Sequence, residues 1–188
     1  MRIFVALDIP VSIREALVQL RRHFENLCSG ARWVRLDGAH ITLKFIGEVP
    51  AEAVERVRLA LEPLRARPPF DLRFAGLGFF PNDRRPRVFW AGIEGGAPLT
   101  ALAVEIETSL VPLGIPRERR EFKPHLTLAR FDSPASLEGL RQAVAASASA
   151  EFGHTTVAEF HLYQSVLKRS GAEYTRLATY SFSSELAS

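Results

Sequence analysis

Two segments of this chain carry the same pattern, and this duplication constrains the fold more than any other feature. The first runs His40-Ile41-Thr42-Leu43 and the second His125-Leu126-Thr127-Leu128, and a proline that begins a helical pattern follows each, Pro50 and Pro134. Composition alone gives about 0.03 matches to His-x-Thr-Leu in such a chain. Two copies therefore indicate an internal duplication, which predicts two lobes related by a pseudo-twofold axis.

Hydrophobic periodicity divides the chain into helices and strands. We predict a first helix at Ser12, which has capping-box spacing to Glu15, then helices after Pro50, over residues 99–110 and from Ser133-Pro134. Period-two alternation predicts strands over residues 2–8, 32–34, 40–46, 70–74, 88–93, 125–130, 157–163 and 173–182. No linker divides the chain, so we predict a single bilobal domain over residues 1–188.

Side-chain parity assigns the repeated histidines and threonines to one face of each strand. Successive strand residues point to opposite faces, so the His and Thr of residues 40–43 and of 125–128 oppose the apolar residues beside them. The apolar sets predict the core, and the polar sets predict a cleft shared by the two lobes. By the same parity Lys44 shares the face of His40, whereas Arg130 falls on the face opposite His125.

Two imidazoles and two hydroxyls in one cleft suit acid–base chemistry at a phosphate. One imidazole can accept a proton while the other donates one, and threonine hydroxyls can donate hydrogen bonds to nonbridging oxygens. A strained 2′,3′-cyclic phosphate fits this set, with one histidine activating water and the other protonating the departing ribose oxygen. The residues alone leave the two roles unassigned. His23, His154 and His161 have no repeat partner; we expect the first two to be structural and His161 to be a surface or packing residue.

The composition is that of a globular protein with a mildly basic charge. The chain is 47% hydrophobic with a net charge of +3, which permits an anionic partner without requiring one. Cys28 is the only cysteine, so an intramolecular disulfide is excluded. Apolar runs are too short for a membrane span and Asp8 comes too early for a signal peptide, so we expect a cytoplasmic protein with no membrane partner.

Four aromatic residues and two arginine-rich loops are candidates for contacts with RNA bases and phosphates. The aromatic residues are Trp33, Phe79, Phe80 and Trp90, and the loops span residues 84–87 and 117–120. Core packing of the aromatic residues and simple solvation of the loops are the alternative interpretations, and the sequence leaves both open.

The paired motifs and their flanks resemble the RNA 2′,3′-cyclic phosphodiesterase (2′–5′ RNA ligase-like) family of the two-histidine phosphoesterase superfamily. The flanks that carry the resemblance are residues 4–8, 43–48, 90–93 and 122–130. The resemblance implies a bilobal α+β fold, in which two antiparallel sheets with outer helices flank the cleft. It also implies metal-independent hydrolysis of RNA 2′,3′-cyclic phosphate ends to 2′-phosphates without a cofactor, and reversible 2′–5′ ligation. We further expect a monomer.

Carried over to these positions, the resemblance makes His40 the proton donor to the leaving 3′-oxygen and His125 the base that activates water. Thr42, Thr127 and Arg130 would bind the phosphate. Two other functions remain open. One is a non-catalytic module whose cleft binds a terminal RNA phosphate, and the other is a metal hydrolase, which the lack of an Asp, Glu or Cys ligand in either motif disfavours.

Overall fold

The computed structural model describes residues 1–132, 137–147, 149–169 and 171–184. The strands are β1 (Arg2–Asp8), β2 (Ala31–Trp33), β3 (His40–Glu48), β4 (Phe70–Phe80), β5 (Val88–Glu94), β6 (His125–Phe131), β7 (Glu151–Val157), β8 (Glu159–Lys168) and β9 (Gly171–Ser181). The helices are α1 (Val11–Glu25), α2 (Ala51–Leu61), α3 (Gly96–Leu110) and α4 (Glu138–Ala146). Within the described ranges, none of the helices has the length and apolar character needed to span a membrane.

The strands form two antiparallel sheets, which we call sheet A and sheet B. Sheet A has the order β3-β1-β8-β9, and sheet B has the order β2-β6-β5-β4-β7. Each copy of the repeat thus contributes its histidine strand to a different sheet. Residues of β3 and β6 approach within 8 Å between Cα atoms, so the two histidine strands adjoin where the sheets meet. The predicted bilobal α+β fold with two antiparallel sheets is confirmed.

The two lobes exchange helices instead of forming from successive halves of the chain. Helix α1 follows β1 of sheet A but packs on sheet B, where the rings of Phe24 and Phe89 meet edge-on at 5.6 Å. Helix α3 follows β5 of sheet B but packs against β3 of sheet A. The strand orders of the two sheets also correspond. Counted outward from the strand that carries the histidine, sheet A runs β3-β1-β8-β9 and sheet B runs β6-β5-β4-β7. The repeat alone did not indicate this exchange.

One continuous cluster of buried apolar side chains joins both sheets to the helices. It includes Leu7 and Ile41 from sheet A and Phe89 and Leu126 from sheet B. Burying a side chain of this kind contributes about 1.5–3 kcal/mol. Because this cluster fixes one face of β3 and of β6, the opposite faces, which carry the repeated histidines, are left to the cleft.

Two local features differ from the sequence-based prediction. Helix α1 begins at Val11 after Pro10, and no side chain caps it, so the predicted capping box at Ser12 is wrong. Strand β7 was not predicted, because its polar residues and Gly153 (φ 130°) hide the alternation of an edge strand. The predicted helix start at Ser133-Pro134 lies outside the described residues, and the described part of this helix begins at Glu138.

Candidate active site

A β-bulge in β3 decides which of its side chains face the cleft. Thr42 pairs with Ala6 and Lys44 pairs with Val5, which leaves Leu43 as the extra residue between the two pairs. An extra residue reverses the alternation of side chains beyond it. Lys44 therefore turns to the face opposite Thr42, and the prediction that it shares the cleft face with the histidine is wrong.

Lys44 instead supports the site from beneath. Its side chain is buried, and Nζ donates hydrogen bonds to Oε2 of Glu107 at 2.9 Å and to the carbonyl oxygen of Pro116 at 2.7 Å. These contacts attach α3 and the loop that leads towards β6 to the underside of β3. A buried ammonium needs such partners, because desolvation of an unpaired charge is costly.

The same bulge occurs in β6, at the corresponding position of the repeat. Leu128 is the extra residue there, since Thr127 pairs with Trp90 whereas the residue after Leu128 pairs with the residue before Trp90. Arg130 consequently turns to the face of His125 and Thr127, where it is exposed. The parity argument that placed Arg130 on the opposite face is therefore wrong.

The structure brings the four repeated polar side chains to adjoining strands. Each of them is half-buried on the face opposite the core, and the shared bulge gives the two copies the same pattern of burial. The two imidazoles and two hydroxyls thus lie on two strands that approach each other where the sheets meet. The residues are His40, Thr42, His125 and Thr127.

Aromatic rings surround His40 on three sides. Phe4 and Tyr163 stack on the imidazole with centroid distances of 4.9 Å and 5.4 Å, and Tyr174 meets it edge-on at 4.6 Å. Such packing fixes the plane of the ring. None of these three aromatic residues was predicted, because they come from β1, β8 and β9, which meet only in the folded sheet.

Burial and two opposite charges determine the protonation of His40. Burial lowers its pKa, the carboxylate of Asp8 raises the pKa, and the guanidinium of Arg14 lowers it. Asp8 is the residue directly opposite His40 in the pairing of β1 with β3. Because the pKa lies below the ordinary histidine value, the neutral ring predominates near neutral pH in the free protein.

His125 is oriented by its backbone and by aromatic residues of sheet B. Its Nδ1 lies 2.6 Å from the carbonyl oxygen of Lys123. A carbonyl only accepts, so Nδ1 carries the proton and Nε2 keeps the lone pair. Phe80 meets the imidazole edge-on at 4.9 Å and contacts Trp90 at 5.3 Å. Gly78 makes room for that indole, since a Cβ there would lie 2.3 Å from it.

The candidate base-stacking residues divide between cleft and core. Phe80 and Trp90 lie on the cleft face beside the histidine of β6. Phe79 and Trp33 instead pack against Phe89, a member of the buried cluster. Only the first pair is therefore placed to meet a nucleobase in the cleft.

A polar network on the cleft face of sheet A surrounds Asp8. The hydroxyl of Tyr163 donates to Oδ1 at 2.5 Å, and Arg176 donates to Oδ2. His161 is fully buried, with Nε2 at 3.6 Å from Oδ2 and Nδ1 at 3.1 Å from the hydroxyl of Thr179. Its structural placement follows the expectation for an unrepeated histidine, but the sequence did not indicate this network.

Two cavities have linings that do not include the paired histidines. One of about 270 Å³ is formed by the end of β3, α2 and the segment after α3, and one of about 420 Å³ lies beside Asp8 and His161. Neither includes His40 or His125 in its lining. Across residues 1–132, 137–147, 149–169 and 171–184, no group of three or more His, Cys, Asp or Glu side chains is placed to hold a metal ion.

Comparison with known proteins gives consistent matches over nearly the whole chain. The sequence matches the 2′-5′ RNA ligase superfamily over residues 9–169. Proteins named RNA 2′,3′-cyclic phosphodiesterase from Archaeoglobus fulgidus and Aeropyrum pernix are 36% and 35% identical; the first alignment covers 96% of this chain and 99% of the relative, the second 86% and 92%.

Solved structures also match this fold. TT0787 of Thermus thermophilus superimposes with a TM-score of 0.79 at 34% identity, and the match covers 97% of this chain and 98% of that one. LigT of E. coli complexed with 3′-AMP gives a TM-score of 0.76 at 30% identity, with coverage of 96% and 97%. At this identity and coverage, the similarity extends to the whole bilobal architecture.

Proposed function

This chain belongs to the 2′-5′ RNA ligase superfamily, and we propose that it is an RNA 2′,3′-cyclic phosphodiesterase whose product is a 2′-phosphate. The family resemblance stated from the paired motifs is thereby confirmed. Relatives named for this activity align with nearly the whole chain. The observation that carries the proposal is the matched pair of His and Thr residues on adjoining strands, each followed by the same bulge.

In the proposed reaction, His125 acts as the base. Its Nδ1 proton is held by the Lys123 carbonyl oxygen, which leaves the Nε2 lone pair to take a proton from an attacking water. The water oxygen forms a new bond to phosphorus. The bond from phosphorus to the ribose 3′-oxygen breaks in line with it, so the phosphate remains on the 2′-oxygen.

His40 acts as the proton donor to the leaving 3′-oxygen. Burial favours the neutral ring in the free protein, but an anionic phosphodiester beside it favours the protonated ring. His40 would therefore take up a proton as the substrate binds and release it as the bond to the 3′-oxygen breaks. At the end of the cycle His125 carries a proton and His40 lacks one, so exchange with solvent restores the starting state.

The hydroxyls of Thr42 and Thr127 and the guanidinium of Arg130 bind the nonbridging phosphate oxygens in this proposal. Bulge geometry supports the assignment for Arg130, since it turns this side chain to the face of Thr127. Donors placed where charge develops stabilise the transition state more than the ground state. We propose that these side chains suffice without a metal ion or cofactor.

The same geometry supports 2′–5′ RNA ligation. An RNA 5′-hydroxyl in place of water would attack the cyclic phosphate, again with His125 as base and His40 as acid. The product is a 2′–5′ phosphodiester with a free 3′-hydroxyl, and the reverse step regenerates the cyclic end.

The test is incubation with an oligonucleotide that ends in a 2′,3′-cyclic phosphate, with and without excess EDTA. We expect a 2′-phosphate product at equal rates in both, and no product from His125→Ala, which should still bind the oligonucleotide. Retained binding without turnover by the wild type would instead identify a module that binds RNA ends. Loss of activity in EDTA would indicate a metal hydrolase, and a 3′-phosphate product would reverse the proposed leaving group.

A further inference from the structure

A row of polar side chains crosses the cleft face of sheet A and ends at His40. It runs from Arg176 on β9 through Tyr163 on β8 to Asp8 on β1. We propose that Asp8, held by Tyr163 and Arg176, is a positioning residue that keeps a proton available on His40. This inference rests on the proposed function, because the proton of His40 matters to catalysis only if His40 is the acid.

Strand pairing places Asp8 and His40 on the same face. They are directly opposite each other in the antiparallel pairing of β1 with β3. Side chains at opposed positions of an antiparallel pair are near neighbours on one face. The carboxylate therefore lies on the same face as the imidazole, and its charge raises the pKa of His40 through Coulomb attraction.

Tyr163 couples the position of the carboxylate to the position of the imidazole. Its ring stacks on His40 with an interplanar angle of 12°, and its hydroxyl donates to Oδ1 of Asp8 at 2.5 Å. Burial and the hydrogen bond to Asp8 both raise the pKa of Tyr163, so the phenol stays protonated as a donor. Arg176 reaches the other carboxylate oxygen and the Tyr163 hydroxyl, so the carboxylate has little freedom to turn away.

The charges that face His40 act in opposite directions. Asp8 on β1 raises the pKa of His40, and Arg14 on α1 lowers it. Tyr163 and Tyr174, from β8 and β9, contact the imidazole through their aromatic rings. Asp8 is thus the one acidic group identified as favouring the imidazolium among the described residues around His40.

His161 does not cancel the charge of Asp8 at neutral pH. Burial lowers its pKa, and although Asp8 and Glu159 raise it, the result remains below the ordinary value. The ring of His161 is therefore neutral near neutral pH. The carboxylate keeps its negative charge towards His40, partly balanced by Arg176.

NMR titration of the histidine ring resonances tests the coupling without relying on activity. Asp8→Asn removes the carboxylate charge and keeps its shape, and we expect a downward shift in the pKa of His40. Arg14→Gln removes the opposing charge, and we expect an upward shift. Glu159→Gln is the matched control, because it removes a carboxylate that lies 3.5 Å from His161 and leaves the pKa of His40 unchanged.

The pH dependence of kcat/KM then connects the shift to catalysis. If His40 is the acid, the alkaline arm scales with its protonated fraction. In Asp8→Asn, kcat/KM on the alkaline side should fall tenfold for each unit by which NMR shows the pKa of His40 to drop. On the acid side kcat/KM should not change. If His40 is the base, the acid arm rises instead and the alkaline arm stays in place.

An unchanged pKa of His40 in Asp8→Asn, with an otherwise wild-type spectrum, overturns the inference. If Asp8→Asn fails to fold, Tyr163→Phe removes only the hydroxyl that holds the carboxylate, and it should shift the pKa of His40 downward as well. An unchanged pKa of His40 in Tyr163→Phe would refute the role assigned to the Tyr163 hydroxyl in holding the Asp8 carboxylate. Expected NMR shifts in a protein that hydrolyses no cyclic phosphate would refute the proposed function and leave the Asp8–His40 coupling standing.

Discussion

Removing the Arg130 side chain tests the proposal that the bulge in β6 places this arginine to bind the phosphate. Arg130 is exposed on the face of His125 and Thr127, and no described carboxylate forms an ion pair with it. A charge-assisted hydrogen bond contributes about 1.5–3 kcal/mol, and each 1.36 kcal/mol is about tenfold in rate. We therefore expect kcat/KM of Arg130→Ala to fall about 10- to 150-fold, with the unfolding free energy within about 0.5 kcal/mol of the wild type.

Initial rates on an oligonucleotide 2′,3′-cyclic phosphate measure this effect, and Arg32→Ala is the matched control. Arg32 lies opposite Arg130 on β2, but it forms an exposed ion pair with Asp132 at 3.2 Å. Such a pair contributes about 0–1 kcal/mol, so its loss should change kcat/KM by less than about fivefold. If kcat/KM of Arg130→Ala also stays within that range of the wild-type value, the proposal that Arg130 binds the phosphate is refuted. An equal fall in kcat/KM for Arg32→Ala would instead show that the effect comes from losing positive charge in general.

Three further predictions concern stability. Gly92→Ala should lower the unfolding free energy in chemical denaturation by about 1–3 kcal/mol, because the new Cβ would lie 2.3 Å from a backbone carbonyl oxygen of β4; an unchanged midpoint would refute this. Lys44→Ala leaves the carboxylate of Glu107 without its cation and should cost about 2–4 kcal/mol, which a wild-type denaturation curve would contradict. Burial lowers the pKa of His40 and His161 below 6.5, so the unfolded chain binds more protons and stability falls as the pH drops below that value. His161→Gln should flatten this dependence in thermal melts, and an equally steep dependence would refute the assignment.

The repeat and its parity predicted which side chains face away from the core up to the bulge, and they failed beyond it. His40 and Thr42 lie on the predicted face, because alternation holds over the first residues of β3. Lys44 does not, because Leu43 is an extra residue in the pairing with β1. A bulge depends on the partner strand, and neither Leu43 nor its equivalent is a glycine or other residue that would mark one in the sequence.

The network around Asp8 could not be predicted for a related reason. Asp8 and Arg176 lie at opposite ends of the chain, and they meet because β1, β8 and β9 are neighbours in sheet A. Hydrophobic periodicity shows which residues form strands, but it does not show which strands pair. Tyr163 and His161 lie within the strand predicted over residues 157–163, and only the sheet order revealed what they contact.

Replacing the leaving 3′-oxygen of the cyclic phosphate by sulfur tests most directly whether the two histidines divide the proton transfers. A thiolate departs without a proton, whereas an attacking water must still lose one. We predict that His40→Ala hydrolyses the sulfur-bridged substrate at close to the wild-type rate, and that His125→Ala remains inactive on both substrates. Equal impairment of His40→Ala on the oxygen and sulfur substrates would contradict the assignment of His40 as the proton donor.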